Sequence, residues 1–90
     1  MFLATTTVED YKRFERVFST RAAEKWQQHG SNGAQLFRDP NDENRVWALF
    51  EWDEEGWQSF VSDPDLPPIL QEAGVRSRLQ VAAAGGSYEA

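Results

Sequence analysis

His29 is the only histidine of the chain, and therefore the only side chain whose ordinary pKa lies near neutrality. A positioned imidazole can accept or donate a proton during a reaction, which makes His29 the candidate catalytic residue. His29 also falls at the predicted end of a helix, where a histidine interacts favourably with the helix dipole and can bond a terminal carbonyl. A structural role for His29 therefore stays open beside the catalytic one.

Aromatic side chains are the second group with chemical potential, because the sequence contains four Trp, six Phe and two Tyr. Trp26 and Trp47 are candidates for binding a planar substrate by stacking, and both could instead fill a core or a dimer interface. Tyr11 offers a hydroxyl to a substrate from the apolar stripe of a predicted helix, and could instead be a core aromatic residue whose hydroxyl is hydrogen-bonded. Tyr88 offers another from the C-terminal tail.

Arginines supply the candidate anion-binding groups. Arg38 is the substrate-binding candidate, joined by Arg76 and Arg78 if their strand faces coincide, since a guanidinium binds a carboxylate or phenolate. Ion pairs at the rim of a barrel are the alternative role for these arginines. Glu51 is predicted to be either a partly buried carboxylate with a raised pKa or the partner of one of them.

Metal and cofactor motifs are missing from the sequence. It has no cysteine and one histidine, and no spacing typical of metal ligands. A nucleophile elbow, a phosphate-binding loop and a dinucleotide fingerprint are missing too, which argues against hydrolases, kinases and nicotinamide enzymes. We therefore expect no metal and no organic cofactor.

The net charge of −6 argues against nucleic acid as a partner, because phosphate backbones are bound by basic patches. Anionic membranes are disfavoured for the same reason, and no apolar run approaches the ~20 residues of a membrane span. The first residues lack the basic and apolar segments of a signal peptide. The predicted location is the cytoplasm.

The elements that must position these residues follow a β-α-β-β-α-β order. Thr7 is predicted to cap a first helix that runs to about His29 and ends at Gly30, and Asp53 to cap a second. The predicted elements are strands over 2–8, 34–38, 45–52 and 75–81, a helix over 54–62 with the stripe Trp57, Phe60 and Val61, and a short helix over 65–73, capped by Asp65 and stopped by Gly74. One domain is predicted over 1–81, followed by a flexible tail over 82–90.

This order predicts an α+β, ferredoxin-like fold, in which a four-stranded antiparallel sheet carries its helices on one face. Successive strand residues point to opposite faces, so Trp47 and Leu49 oppose Phe50 and Trp52. A sheet with one face in water would alternate apolar and polar residues, and this strand does not. We therefore expect a homodimer that forms through the second face of the sheet.

The chain resembles the dimeric α/β-barrel superfamily, in particular the antibiotic-biosynthesis-monooxygenase-like and small cyclase-like proteins. The resemblance covers nearly all of 2–81, and the segments that carry it are Val8 to Tyr11, His29 to Ser31, Ala34 to Asp39 and Val46 to Asp53. It implies that two subunits pair their sheets into a barrel and that each keeps a pocket between its sheet and its helices. Haem-degrading relatives carry an iron-binding histidine on the second long helix, and 54–62 contains none, which disfavours haem degradation.

The functional prediction that the resemblance implies is a cofactor-independent monooxygenase or cyclase acting on an aromatic or polyketide-like substrate, with His29 as the base. The alternatives are a non-catalytic ligand-binding or structural dimer and, as a third option, a haem-binding protein without degradation. An enclosed cavity that holds His29 and an arginine would favour the enzyme. A layer packed solid by Trp26, Trp52 and Trp57 would favour a structural role.

Overall fold

Four strands and four helices follow in the order β-α-α-β-β-α-α-β along residues 1–89, which are the residues that the computed structural model describes. The strands are β1 (Phe2–Thr7), β2 (Ala34–Asp39), β3 (Asp42–Phe50) and β4 (Gln80–Ala83). The helices are α1 (Tyr11–Phe18), α2 (Arg21–Gln28), α3 (Glu54–Val61) and α4 (Leu66–Glu72). Each predicted helical region is present, and the first is divided in two.

The four strands form one sheet in the order β2-β3-β1-β4, and every neighbouring pair is antiparallel. Strands β2 and β3 are joined by a tight turn in which Asn41 N–H donates to the Asp39 carboxylate at 2.8 Å. This topology confirms the predicted α+β, ferredoxin-like fold class.

The first helical region differs from the prediction at both its start and its middle. Thr7 belongs to β1, and the cap of α1 is Asp10, whose carboxylate accepts from Lys12 N–H at 3.0 Å. The helix also ends at Phe18, because the hydroxyls of Ser19 and Thr20 both donate to the Arg16 carbonyl, at 3.2 and 2.7 Å. Such back-bonding competes with the helical ladder and accounts for the break before α2.

Strand four lies later in the chain than the predicted span of 75–81. Val75 makes one isolated bridge to Val8, and Ser77 Oγ accepts from Thr7 N–H at 2.9 Å where a strand would have placed a carbonyl. The alternation of apolar and polar residues in this segment therefore does not correspond to a continuous ladder. Ala82 and Ala83, predicted to be tail, belong to β4, residues 84–89 form neither helix nor strand, and residue 90 lies outside the described residues.

The ends of the remaining elements agree with the prediction in part. Strand β3 begins at Asp42 rather than Arg45 and ends at Phe50 rather than Trp52. Asp53 caps α3 as predicted, accepting from Gly56 N–H at 2.7 Å, whereas Val61 is exposed rather than part of the apolar stripe. Asp65 makes no side-chain cap bond to α4.

The core lies between the helices and one face of the sheet. Phe50 is at its centre, because its ring lies 5.1 to 6.5 Å from those of Phe18, Trp26, Trp52, Trp57 and Phe60. Aromatic pairs at these distances contribute about 0.5–1.5 kcal/mol each beyond their buried area. Most of the aromatic side chains of the sequence therefore lie in this layer.

The other face of the sheet, which we call the outer face, carries a line of apolar side chains. In the strand register Leu3 pairs with Leu49, and Trp47 pairs with Phe37. None of these four residues belongs to either buried core cluster, and Phe37 is 48% exposed. A single chain therefore leaves an apolar sheet face uncovered.

Candidate functional site

An apolar cavity of about 50 Å³ lies between the sheet and the helices. Its walls come from β1, β3 and all four helices, and the largest lining side chains are Phe14, Phe18, Trp26, Phe50, Trp57 and Phe60. Leu79, from the segment between α4 and β4, closes part of it. The enclosing elements are thus the ones that the resemblance implied for a pocket.

One residue that lines the cavity carries a buried polar atom without a hydrogen-bond partner. The hydroxyl of Thr5 donates to the Val46 carbonyl at 2.9 Å, and that of Thr6 donates to the Ser77 carbonyl at 2.8 Å. Trp26 Nε1, by contrast, is the only buried side-chain nitrogen or oxygen within residues 1–89 that lacks a hydrogen-bond partner. A buried donor left unsatisfied costs about 1–3 kcal/mol, so an acceptor that reached Trp26 would be bound favourably.

His29 lies at the end of α2, where backbone geometry fixes its position. Gly30 follows it with a φ of +96°, the left-handed conformation that ends helices and that glycine adopts most readily. Trp52 Nε1 donates to the His29 carbonyl at 2.9 Å. The backbone of His29 is therefore fixed by the turn at Gly30 and by the hydrogen bond from Trp52.

Two side chains of the second helical region contact the imidazole. His29 Nδ1 lies 2.8 Å from Ser59 Oγ, and His29 Nε2 lies 2.8 Å from Asp63 Oδ2. Lys25 Nζ is 3.3 Å from the same Asp63 oxygen and 3.0 Å from Asp65. Ser59 and Asp63 were not predicted, because 30 and 34 residues separate them from His29 and no local spacing marks the contact.

Electrostatics around Asp63 favour its ionised form. Its pKa is lowered to about 2, chiefly by the hydrogen bond from His29, then by the backbone N–H of Asp65 and by Lys25. The side chain of Asp63 is 10% exposed, so these partners replace most of its water. Interaction with Asp65 is in turn the main cause that raises the pKa of Lys25.

His29 does not line the apolar cavity. The ring of Phe60, which does line it, lies 6.2 Å from the imidazole in an edge-to-face arrangement. His29 instead borders an open polar depression together with Ser59, Asp53 and Glu55. The cavity also contains no arginine. The structure therefore matches neither the predicted cavity with His29 and an arginine nor the alternative of a layer packed solid by tryptophans.

Tyr11 and Arg38 contact each other away from the cavity. The Arg38 guanidinium lies 4.4 Å from the centre of the Tyr11 ring, a cation–π distance. The Tyr11 hydroxyl donates to Glu15 at 3.2 Å, and its pKa is raised by burial and then by the Glu15 charge. The structure thus brings two of the predicted substrate-binding residues together, on a shallow surface with Glu9 and Glu43.

The other predicted residues lie apart from both groups. Trp47 is on the outer face, with its Nε1 3.4 Å from Asp39. Arg76 pairs with Glu9 at 3.5 Å on the surface. Glu51 is exposed, which contradicts the prediction of a partly buried carboxylate. Of the predicted site residues, Trp26 alone lines the apolar cavity.

Residues 1–89 contain neither a candidate metal centre nor a helix that could span a membrane. In that range no three His, Asp or Glu side chains are grouped so that they could hold a metal ion. The helices of the same range are all too short or too polar to cross a membrane.

Solved structures share this fold over nearly the whole chain. SnoaB, a cofactor-independent oxygenase from Streptomyces nogalater, is 22% identical, and the match covers 96% of this chain and 92% of SnoaB with a TM-score of 0.72. A protein of Bordetella bronchiseptica assigned to the antibiotic biosynthesis monooxygenases is 15% identical over 97% and 95% of the two chains, with a TM-score of 0.77. Another antibiotic biosynthesis monooxygenase matches at 16% identity, 97% coverage of both chains and a TM-score of 0.62.

No protein-family model matches the sequence, and no relative was found among curated proteins. At these identities the structural matches establish the fold. They confirm that the resemblance to the antibiotic-biosynthesis-monooxygenase-like proteins holds at the level of architecture.

Proposed function

We propose that the protein binds a small aromatic or polyketide-like molecule in the apolar cavity and acts on it as a cofactor-independent monooxygenase or cyclase. The observation that carries the proposal is the combination of aromatic walls with one buried, unpartnered donor, Trp26 Nε1. An apolar pocket with few placed polar groups is typical of small-molecule sites. The shared fold with SnoaB supports the same kind of chemistry.

Trp26 would act on the oxygen of the bound molecule. Its N–H would donate to a carbonyl or phenolate oxygen and would stabilise the negative charge that develops there when the substrate loses a proton. Phe18 and Phe50, whose rings lie 6.0 and 6.3 Å from Trp26, would hold the indole in place. The resulting electron-rich anion would itself reduce oxygen, or would close a ring by attacking a carbonyl.

No lining side chain is a carboxylate or an imidazole, so the proton would pass to a water molecule. The proposal therefore favours substrates that ionise easily, such as phenols and carbons flanked by carbonyl or aryl groups. His29 stays a predicted base that would reach the cavity only if Phe60 moved aside.

Entry of such a molecule would require the wall to open. The cavity of about 50 Å³ is smaller than the ~150 Å³ cavity that holds benzene in an engineered protein. Leu79 lies in a segment that forms neither helix nor strand, and it is only partly buried. We propose that this segment moves when the ligand enters.

Oxygen uptake with anthrone would test the catalytic proposal. Anthrone is a tricyclic ketone with an acidic methylene, and its oxidation by one O₂ gives anthraquinone and one water. We expect turnover above the buffer rate, and about 100-fold less in Trp26→Phe, which keeps an aromatic side chain and removes the donor. Val61→Ala, an exposed apolar truncation on α3, should leave the rate unchanged. Equal rates with protein and with buffer, or in Trp26→Phe and the parent, would contradict the proposal.

A non-catalytic ligand-binding protein is the second candidate, and the absence of an ionisable side chain from the cavity wall favours it. It predicts saturable binding of anthrone, detected by quenching of tryptophan fluorescence under nitrogen, with no oxygen uptake in air. The two functions therefore separate on the same ligand.

We also propose that the functional unit is a homodimer formed through the outer face. Leu3, Phe37, Trp47 and Leu49 would be removed from water by the same residues of a second copy. A chain of 90 residues buries a comparatively small share of its surface on folding, so such association would also stabilise it.

A further inference from the structure

Ser59, His29 and Asp63 form a continuous hydrogen-bonded chain on the far side of Phe60 from the cavity. Ser59 Oγ and Asp63 Oδ2 each lie 2.8 Å from a different nitrogen of the same imidazole. Asp63 is itself fixed, because its other oxygen accepts from Asp65 N–H at 2.8 Å. A hydroxyl, an imidazole and an oriented carboxylate in this order are the components of an activated nucleophile.

The hydrogen bonds determine where the protons lie. Asp63 is ionised at neutral pH, so it can only accept, and the proton of a neutral imidazole must be on Nε2. Nδ1 then carries a lone pair, and the Ser59 hydroxyl donates to it. A neutral imidazole in this arrangement is therefore in the tautomer that can take the hydroxyl proton.

Ser59 is open to solvent, as a nucleophile must be, whereas its two partners are mostly buried. The side chains of His29 and Asp63 are 18% and 10% exposed, whereas Ser59 is exposed to solvent. Ser59 and His29 border a polar depression that is open to solvent, so a small molecule could approach the hydroxyl.

We propose that Ser59 is an activated nucleophile that takes an acyl group from small, uncharged esters. Ser59 Oγ attacks the carbonyl carbon while its proton passes to His29 Nδ1, and Asp63 stabilises the imidazolium. The ester C–O bond then breaks, the alcohol leaves with that proton, and an acyl ester of Ser59 remains. A water molecule, deprotonated by His29, later releases the carboxylic acid and restores the hydroxyl.

The negative charge around the depression favours an uncharged ester as the substrate. Asp53 and Glu55 border it and disfavour an anionic substrate, and Gln28 is a neutral side chain that can donate to the developing oxyanion. The depression lacks the aromatic walls of the apolar cavity, so a short acyl group suits it best. This site is separate from the cavity, and its activity does not depend on the function proposed above.

Acetylation by 4-nitrophenyl acetate tests the proposal on the full chain. We expect a burst of about one equivalent of nitrophenolate per chain and an added acetyl group that peptide mass spectrometry places on Ser59. Ser59→Ala should abolish the burst, and His29→Gln should slow it by ~100-fold or more, the usual contribution of a general base. Ser62→Ala removes an exposed hydroxyl three residues away and should change neither the burst nor its rate.

A burst of equal size in Ser59→Ala, or acetyl groups found only on lysines and the N-terminus, would overturn the proposal. Mapping the acetyl group on the unsubstituted protein needs no variant, so the test does not depend on how the substitutions fold. The acetylation burst and anthrone oxidation are measured separately on the unsubstituted protein, which keeps failure here distinct from failure of the cavity proposal.

Discussion

Asp63 joins more of the candidate site than any other single residue. Its carboxylate contacts the imidazole of His29, pairs with the ammonium of Lys25 and accepts a hydrogen bond from the backbone N–H of Asp65. Through these bonds the end of α2 is tied to the segment between α3 and α4. The ionised carboxylate therefore stabilises the fold as well as orienting His29.

This role predicts a loss of stability in acid. The pKa of Asp63 is about 2 in the folded protein against an ordinary 3.8, chiefly because His29 hydrogen-bonds the carboxylate. Since the folded state binds this proton less tightly than the unfolded state, the stabilisation is complete above pH 3.8 and is lost as the pH falls to about 2. Urea unfolding of the parent and Asp63→Asn should differ most at neutral pH and converge near pH 2.

Asp65→Asn is the matched control for this prediction. Asp65 shares Lys25 with Asp63, but its side chain is 71% exposed and does not contact His29. We expect a smaller change that is nearly independent of pH, because exposed ion pairs contribute little. A constant difference between the parent and Asp63→Asn from pH 7 to about pH 2 would show that the ionised carboxylate does not stabilise the fold.

Sequence alone identified the site residues unevenly. His29 was found because it is the only histidine, and Trp26 because its aromatic side chain can stack on a planar substrate. Ser59 and Asp63 were missed, because only the packing of α3 beside the end of α2 brings them to the imidazole. The contact between Tyr11 and Arg38 likewise depends on which sheet face Arg38 occupies in the final register.

At the scale of elements, the termination of α2 at Gly30 can be tested directly. Gly30 has a φ of +96°, and a Cβ placed there would come no nearer than 4.0 Å to the Trp52 indole nitrogen. Gly30→Ala therefore meets backbone strain without a side-chain clash, and we expect it to lower the free energy of unfolding by about 1–2 kcal/mol in urea titrations.

Gly85→Ala is the control for that substitution, since nothing lies within 4 Å of its added Cβ and its φ is not left-handed. It should leave the midpoint of unfolding unchanged. Equal midpoints for Gly30→Ala and the parent would mean that this turn tolerates an L-residue without strain.

Element order was predictable, and several of the boundaries were not. Apolar periodicity and the glycines at 30 and 74, both of which have positive φ, marked the helix ends correctly. The break after Phe18 was not predicted, because the apolar spacing continues past Ser19 and Thr20. The break becomes visible only in the structure, where both hydroxyls donate to the Arg16 carbonyl. Near Ser77, the Thr7 N–H similarly donates to the serine hydroxyl instead of to a strand carbonyl. The alternation of apolar and polar residues cannot reveal such a bond.

At the scale of the whole molecule, the outer face predicts self-association. Sedimentation equilibrium at micromolar concentration should give about twice the mass of the 10.3 kDa chain. Leu49→Glu places a charge at the centre of the outer face and should shift the protein towards monomer. Val61→Glu adds the same charge to an apolar residue of α3 that is 37% exposed, and should not. A single species of about 10 kDa for the parent chain would contradict the dimer.

The cavity proposal makes its most direct prediction for the indole protons. The four tryptophans should give four indole N–H signals in a ¹⁵N-labelled sample. Trp52 Nε1 already donates to the His29 carbonyl and provides an internal reference, whereas Trp26 Nε1 has no partner. We therefore expect a hydrogen-bond acceptor that enters the cavity to act on the Trp26 signal.

Titration with 1-tetralone, a bicyclic aromatic ketone, against tetralin, which has the same ring system without the carbonyl, is the decisive measurement. We predict that 1-tetralone moves the Trp26 signal downfield well beyond any shift caused by tetralin, while the Trp52 signal stays in place. A Trp26 signal that does not respond to 1-tetralone, or that responds equally to tetralin, would contradict a ligand held by this donor in the apolar cavity.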